Sequence, residues 1–301
     1  MDTVLRVHDL VKRYGKMTAV NHLSFEVQRG EIFGLLGPNG AGKSTTIRII
    51  MNIYNADAGE VTIFGEPPGK GRRRIGYLPQ ERGLYSDETA LGALTYLARL
   101  KGLDKAAAQR SSRDWLERVG LADRAEEKIR SYSGGMQQLV QFVASVVHNP
   151  DIAILDEPFQ GLDPVNIEQV KALIRGLYDE GKTILLSSHQ LNLVEALCDR
   201  IMLIDDGQAA LYDRIETIRE QYSPSVVRVQ TYEPQNDSLS RFGDVEAKSE
   251  REFHITLYDD YTSQDVLRYL VQQDILVASF DKPTRTLEDI FVSVVRDGDH
   301  A

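Results

Sequence analysis

The chain has a single cysteine, no apolar run of bilayer length and a deficit of positive charge, and each shortage excludes a class of protein. Cys198 has no partner for an internal disulfide, so a reducing compartment is the simplest setting. The thiol reads as a small apolar filler on a helix. The longest apolar runs, residues 152–155 and 183–186, fall far short of the ~20 residues that cross a hydrocarbon core. Bounded by polar residues, they suit buried strands. The N-terminus lacks the basic start, apolar stretch and cleavage site of a secretory leader. A cytoplasmic protein is expected, acting at a membrane only through a partner. Lys and Arg number 35 against 45 Asp and Glu, for a formal charge of −10. That balance disfavours nucleic acid and anionic lipid, which reward a basic surface. The local run Arg72-Arg73-Arg74 reads as a solvated face. What remains is ordinary globular composition, 42% apolar over 301 residues, enough for one large core or two unequal ones.

Against these absences stand two Gly-rich segments suited to phosphate. The first is Gly37-Pro38-Asn39-Gly40-Ala41-Gly42-Lys43-Ser44-Thr45, which satisfies G-x-x-x-x-G-K-[ST]. It follows a buried-strand pattern at 31–36 and precedes helical spacing at 45–53, the strand–loop–helix that such a loop requires. Glycines let successive N–H groups turn toward a polyphosphate, Lys43 would bridge its β- and γ-phosphates, and the Ser44 hydroxyl would ligate Mg²⁺. The second is Ser133-Gly134-Gly135, ahead of a helix-like run at 139–147; alone it is a common turn and N-cap. One nucleotide needs only one P-loop. A second phosphate-facing element points to a site completed by another copy of the chain.

Residues 152–157, Ile-Ala-Ile-Leu-Asp-Glu, form an apolar strand ending in two acids. Asp156 offers oxygen to a hard cation, and Glu157 a general base for water. His189 follows the strand pattern at 183–187, at the sheet edge where ligands bind in α/β folds. Gln80 ends another β-like run at that edge and could reach Mg²⁺ or the attacking water. Tyr14 offers a ring on which adenine could stack. A loop Gln and a turn Tyr are each commonplace, and these two stand or fall with the other motifs.

Elsewhere the pattern divides into regions. Residues 4–27 alternate short β-like runs with turns at Tyr14-Gly15 and near Asn21. From 86 to 147 the chain turns helical, with helices expected at 89–100 and 106–119 around a break at Gly102. Strands at 152–155, 183–187 and 201–204 separated by helices give the βα alternation of a mostly parallel sheet. A composition shift at Tyr222-Ser223-Pro224-Ser225 sets off 223–301 from 1–222. The tail reads as strands at 226–230 and 252–257, a helix at 263–273, a strand at 275–280 and a helix at 286–295: a small α+β unit, in the manner of a ferredoxin-like βαββαβ layout.

Over residues 3–220 these features together resemble the ATP-binding subunits of ABC transporters. Gly37 to Thr45 is similar to the Walker A motif, Ser133-Gly134-Gly135 to the ABC signature and 152–157 to the Walker B motif with its catalytic glutamate. Tyr14 matches the A-loop, Gln80 the Q-loop, Gly161-Leu162-Asp163 the D-loop and His189 the switch histidine. The stretch 76–85 and the tail's Thr286-Leu287-Glu288-Asp289-Ile290-Phe291 look like ABC-2 type exporters, especially the sodium-extrusion group. One position departs: Tyr132-Ser133-Gly134-Gly135-Met136 stands where Leu-Ser-Gly-Gly-Gln is usual, with the Gln displaced to Gln137.

The resemblance implies an α/β P-loop ATPase with a mixed sheet core, an antiparallel β subdomain and a helical insertion, followed by the small α+β domain. It implies ATP with Mg²⁺, and a head-to-tail dimer in which one Walker A segment faces the other copy's Ser133. It further implies a separate transmembrane permease holding the subunit at the cytoplasmic face of the membrane. Two rival readings are a non-transport ABC ATPase and a regulatory switch with a ligand-sensing tail. Against the first, no long coiled coil or second cassette interrupts the chain.

Overall fold

The computed structural model describes residues 2–81, 83–223, 225–234 and 239–298. Arg82, inside the stretch 76–85, and Pro224, at the expected composition break, lie outside the described residues. The chain forms two compact units, Met1–Ile215 and Glu216–Ala301. The division precedes the break expected at 222/223. A helix, Ile215–Tyr222, follows directly on the strand Gln208–Arg214, so no loop-like composition marks the change.

The first unit opens with two long antiparallel strands, β1 (Thr3–Tyr14) and β2 (Met17–Gln28), and β1 also pairs with β4 (Ala58–Ile63). The turn expected near Asn21 is instead an irregularity within paired strands. The register shifts between Val7 and Leu10, and Asp9 and His22 take φ of 49° and 55°. His22 Nδ1 meets Asp9 Oδ1 at 2.6 Å across it. A bulge of this kind bends and twists a strand without ending it.

Beside this sheet stands a six-stranded one. Its strands are β3 (Ile32–Leu36), β5 (Ile75–Leu78), β6 (Ile152–Asp156), β7 (Thr183–Ser188), β8 (Arg200–Asp205) and β9 (Gln208–Arg214), in the order β5-β6-β7-β3-β8-β9. All neighbours are parallel except β8 and β9. Every residue of β3, β6 and β7 is buried, as expected for strands covered on both faces. The core packs β1, β2 and β4 against this sheet and α1 (Lys43–Ile50); Phe25 and Phe33 stack with centroids 5.4 Å apart. Strand β9 holds a short apolar run, residues 209–212, but no clear alternation of buried and exposed positions. Its signal lay in Asp206-Gly207, both at positive φ (43° and 78°), a two-residue hairpin turn. Gly207 is tied further in: its N–H donates to the Ala41 carbonyl at 3.1 Å and its own carbonyl accepts from Asn21 N–H at 2.8 Å. Cys198 lies past the end of α6 (Leu191–Glu195) rather than on a helix, since α6 stops early; burial pushes its thiol pKa up.

Between β5 and β6 come α2 (Ala90–Leu100), α3 (Lys105–Arg118) and α4 (Gly134–Val146). Thr89 and Asp104 cap α2 and α3 through their side chains. Just past α4, His148 is buried, with Nε2 3.2 Å from the Ile75 carbonyl and no partner at Nδ1. Burial, aided by the Lys101 charge, lowers its pKa from 6.5 to about 4. The unfolded chain therefore takes up a proton near pH 6.5 that the fold refuses until about pH 4. Stability from this group is whole above pH 6.5 and lost as acidity increases toward pH 4. Wild type is expected to lose about 2 kcal/mol more than His148→Gln between pH 7 and 5. Urea unfolding at the two pH values measures this; parallel losses would remove His148 as the cause.

The second unit carries an antiparallel sheet of β10 (Val226–Thr231), β11 (Gly243–Ser249), β12 (Glu252–Leu257) and β13 (Val277–Asp281), in the order β11-β12-β10-β13. The helices α7 (Ile215–Tyr222), α8 (Ser263–Gln272) and α9 (Leu287–Gly298) come before, between and after these strands along the chain. β10 and β11 run the same way, since both oppose β12, so a crossover joins them. The βαββαβ order expects a helix there. The described residues of that crossover include a 3-10 residue, Leu239, followed by a turn, and Leu239 and Phe242 are buried in the core. Thr262 and Asp265 form a reciprocal capping box at α8.

Candidate functional site

Strand β3 delivers the chain into residues 37–42, and α1 begins at Lys43 with no side-chain cap and no acid in its first turn. Its leading N–H groups and positive dipole end are thus presented with no carboxylate of the helix's own to cap them. Gly42 takes φ 107°, and a Cβ there would lie 2.3 Å from the Ala19 carbonyl oxygen. No other residue fits that turn. Lys43 folds back over the loop, donating to the carbonyls of Gly37 (2.7 Å) and Pro38 (2.9 Å), with Nζ 3.7 Å from Glu157 Oε1. Burial lowers its pKa, opposed by the carboxylates of Glu157 and Asp156.

Asp156 ends β6 beside Ser187 of β7. Its Oδ1 accepts from the hydroxyls of Ser187 (2.6 Å) and Ser44 (3.1 Å), while its buried Oδ2 has no hydrogen-bond partner. The Ser187 hydroxyl also accepts the Glu157 N–H at 3.0 Å, fixing the backbone where Glu157 sits at φ 52°. Only 5% of Glu157 is exposed, and its Oε2 lies 2.9 Å from His189 Nδ1. One cation and two carboxylates therefore share a buried space. A cavity of about 250 Å³ opens over them, lined by Asn39, Gly40, Gly42, Lys43, Ser44 and Thr45 of the loop and by Gln80, Glu157 and Gln160.

Of the residues singled out from the sequence, the fold brings Lys43, Ser44, Asp156, Glu157, His189 and Gln80 together. Gly37, Pro38 and Ala41 stand outside the cavity lining; the first two serve Lys43 through their carbonyls, and Ala41 is packed in the core. Ser187 and Gln160 were not singled out. The first was legible only through its register beside Asp156, and nothing in the sequence pointed to the second.

Three expected participants stand apart from that cavity. Tyr14, 42% exposed at the end of β1, packs edge-on against Tyr54 with centroids 6.4 Å apart and has Lys12 5.6 Å from its ring. Ser133 caps α4, accepting Met136 N–H at 3.3 Å, and both Ser133 and Gly134 are exposed. Asp163 caps α5 (Pro164–Asp179), accepting from the N–H groups of Val165 and Asn166 at 3.0 Å each. Those bonds and that of the Asn166 amide hold its carboxyl below the usual range. The Asn166 amide also packs on Gly135, where a Cβ would lie 2.5 Å from it. At the unusual fifth position, Met136 Sδ lies 3.4 Å from Arg124 Nη1. Gln137 is committed elsewhere, donating to the carbonyls of Ile129 and Tyr132 at 3.3 and 3.1 Å.

Comparison with known proteins gives the site a context. The family described as "ABC transporter" matches residues 20–160, and "ATP-binding protein DrrA1-3-like, C-terminal domain" matches 214–295. The ABC transporter ATP-binding protein YhaQ of Bacillus subtilis is 34% identical, covering 97% of this chain and 98% of its own. The linearmycin resistance ATP-binding protein LnrL of the same organism is 40% identical over 68% of this chain and 67% of its own. Among solved structures, the dimeric post-hydrolysis state of the ATP-binding cassette MJ0796 bound to ADP and Pi superposes with TM-score 0.64 at 25% identity, covering 70% of this chain and 98% of that one.

Proposed function

Because the chain belongs to the ATP-binding proteins of ABC transporters and is an ATPase of that fold, we propose that it drives an ABC-2 type exporter by closing two copies head to tail around ATP. The observation that carries this is the convergence of Lys43, Ser44, Asp156, Glu157 and His189 at one end of the parallel sheet. In this reading the N–H groups of residues 40–45 and Lys43 hold the β- and γ-phosphates. Glu157 takes the proton of the attacking water, and His189, donating through Nδ1, orients it. Asn39 and Gln160 border the same cavity.

The residues fit Mg²⁺. The buried Asp156 Oδ2 lacks a partner, and the Ser44 hydroxyl lies against the other oxygen. Ser44 and Asp156, with Gln80 through its amide oxygen, would hold the ion. Among the described residues no cluster of three or more His, Cys, Asp or Glu could do so alone, which suits an ion bound through nucleotide phosphates. When bound, the ion would neutralise charge on the phosphates.

Support for the dimer lies in the exposed Ser133 and Gly134, apart from the chain's own P-loop cavity, and in the dimeric cassette that this fold matches. Tyr14 would stack on adenine, and Asp163 would border the joint. Support for an exporter comes from the DrrA-like tail and the resistance-linked relative. No helix among the described residues is long and apolar enough to cross a membrane. A permease would supply the spans, holding this subunit at the cytoplasmic face. A cavity of about 320 Å³ lined by Met51, Tyr77, Pro79, Leu84, Leu97 and Leu100 adjoins the Gln80 segment and suits a permease segment, Leu100 being 63% exposed.

The test is Ser133→Arg. With ATP, wild type is expected to sediment as a dimer at protein concentrations where Ser133→Arg stays monomeric, while the variant's own ATP affinity changes by no more than about threefold. A variant that dimerises as well as wild type would remove the Ser133 face from the joint.

A further inference from the structure

We propose that Gln141 is a positioning residue for Gln80, linking the helix that carries the Ser133 cap to the loop that carries Gln80; the proposal rests on the roles read above for those two residues. Gln141 is buried about two turns into α4. Its side-chain Nε2 donates to the Pro79 carbonyl at 3.2 Å and to the Glu81 carbonyl at 2.9 Å, the two that flank Gln80. Residues 79–81 lie past the end of β5, where no strand ladder fixes them. From the other side, Arg48 of α1 reaches Glu81 at 3.4 Å, but the Glu81 side chain is 85% exposed, and such a pair holds little. The buried amide is the firmer grip.

The bond pair has a directional consequence. The backbone around Gln80 moves with α4, whose N-terminus carries Ser133 and Gly134. In the head-to-tail dimer that N-terminus meets the other copy's nucleotide. Gln141 therefore joins the Gln80 of one site to the Ser133 of the other, so that phosphate contact at one is felt by the Gln80 amide at its twin. Its role differs from a packing one because a side chain of equal length without donors would fill the same volume.

Gln141→Met keeps that length and removes both bonds; Gln141→Glu keeps the shape and replaces donors by acceptors. Each is measured in the full chain with Gln80→Ala and the double variants, for turnover and for affinity of a fluorescent ATP analogue. Both Gln141 variants are expected to lower kcat about tenfold with analogue affinity within about twofold of wild type. The double variants are expected to be no slower than Gln80→Ala alone, because the two changes act through one group. Wild-type turnover in either Gln141 variant, or losses that multiply in the doubles, would overturn the link. Wild-type turnover in Gln80→Ala would remove the role of Gln80 and this proposal with it.

Discussion

Glu157→Gln is expected to bind ATP at least as well as wild type and to hydrolyse it about 10²- to 10³-fold more slowly, accumulating as an ATP-dependent dimer. The substitution preserves shape, so the Glu157 N–H to Ser187 bond and the positive φ persist. An amide cannot take the proton of attacking water, and chemistry stops there. It also removes one of the two carboxylates bearing on Lys43, whose Nζ lies 3.7 Å from Glu157. With that competitor gone, Lys43 is freer for phosphate, which is why affinity should not fall. Single-turnover hydrolysis and equilibrium binding separate the two effects. Near-normal turnover would take Glu157 out of the general-base role.

Lys43→Ala reverses the pattern: binding should weaken by roughly 100-fold, the scale of one lost charge-assisted bond, and turnover should vanish with it. A second effect follows from burial. Without Lys43, Asp156 and Glu157 remain as buried carboxylates without the ammonium charge that lies between them and the loop, so the nucleotide-free fold should melt lower than wild type. Equilibrium binding of a fluorescent ATP analogue, with melting curves taken in parallel, reads both. Unchanged nucleotide affinity would argue against the loop as the phosphate site.

What the sequence made legible was whatever sits in one contiguous run. Strands β3 and β6 are unbroken apolar segments ending in their own chemistry, so Lys43, Ser44, Asp156 and Glu157 could be named in place. The contacts that make them a site could not. His189 meets Glu157 only because β6 and β7 are neighbours, and Ser187 serves both acids only through that register. Order within a parallel sheet is a long-range property, and local periodicity does not encode it. Strand β9 was hidden for a different reason, since its alternation is weak and its pairing is supplied by β8. In the tail, Leu239 and Phe242 join the core from the connection between β10 and β11, where no run of apolar residues marks them in advance. The displaced Gln137 closes its own loop, leaving Met136 at the fifth place.

The Asp206-Gly207 turn invites a different kind of reckoning. By position it is the tip of a surface hairpin, where an inserted tag or a lengthened loop is usually harmless. Yet Gly207 bonds the chain of the phosphate loop at Ala41 and strand β2 at Asn21. Lengthening that tip would pull on the floor beneath Lys43 and on the sheet beside it at once. A segment that looks like free real estate for labels is a mooring point for the nucleotide site.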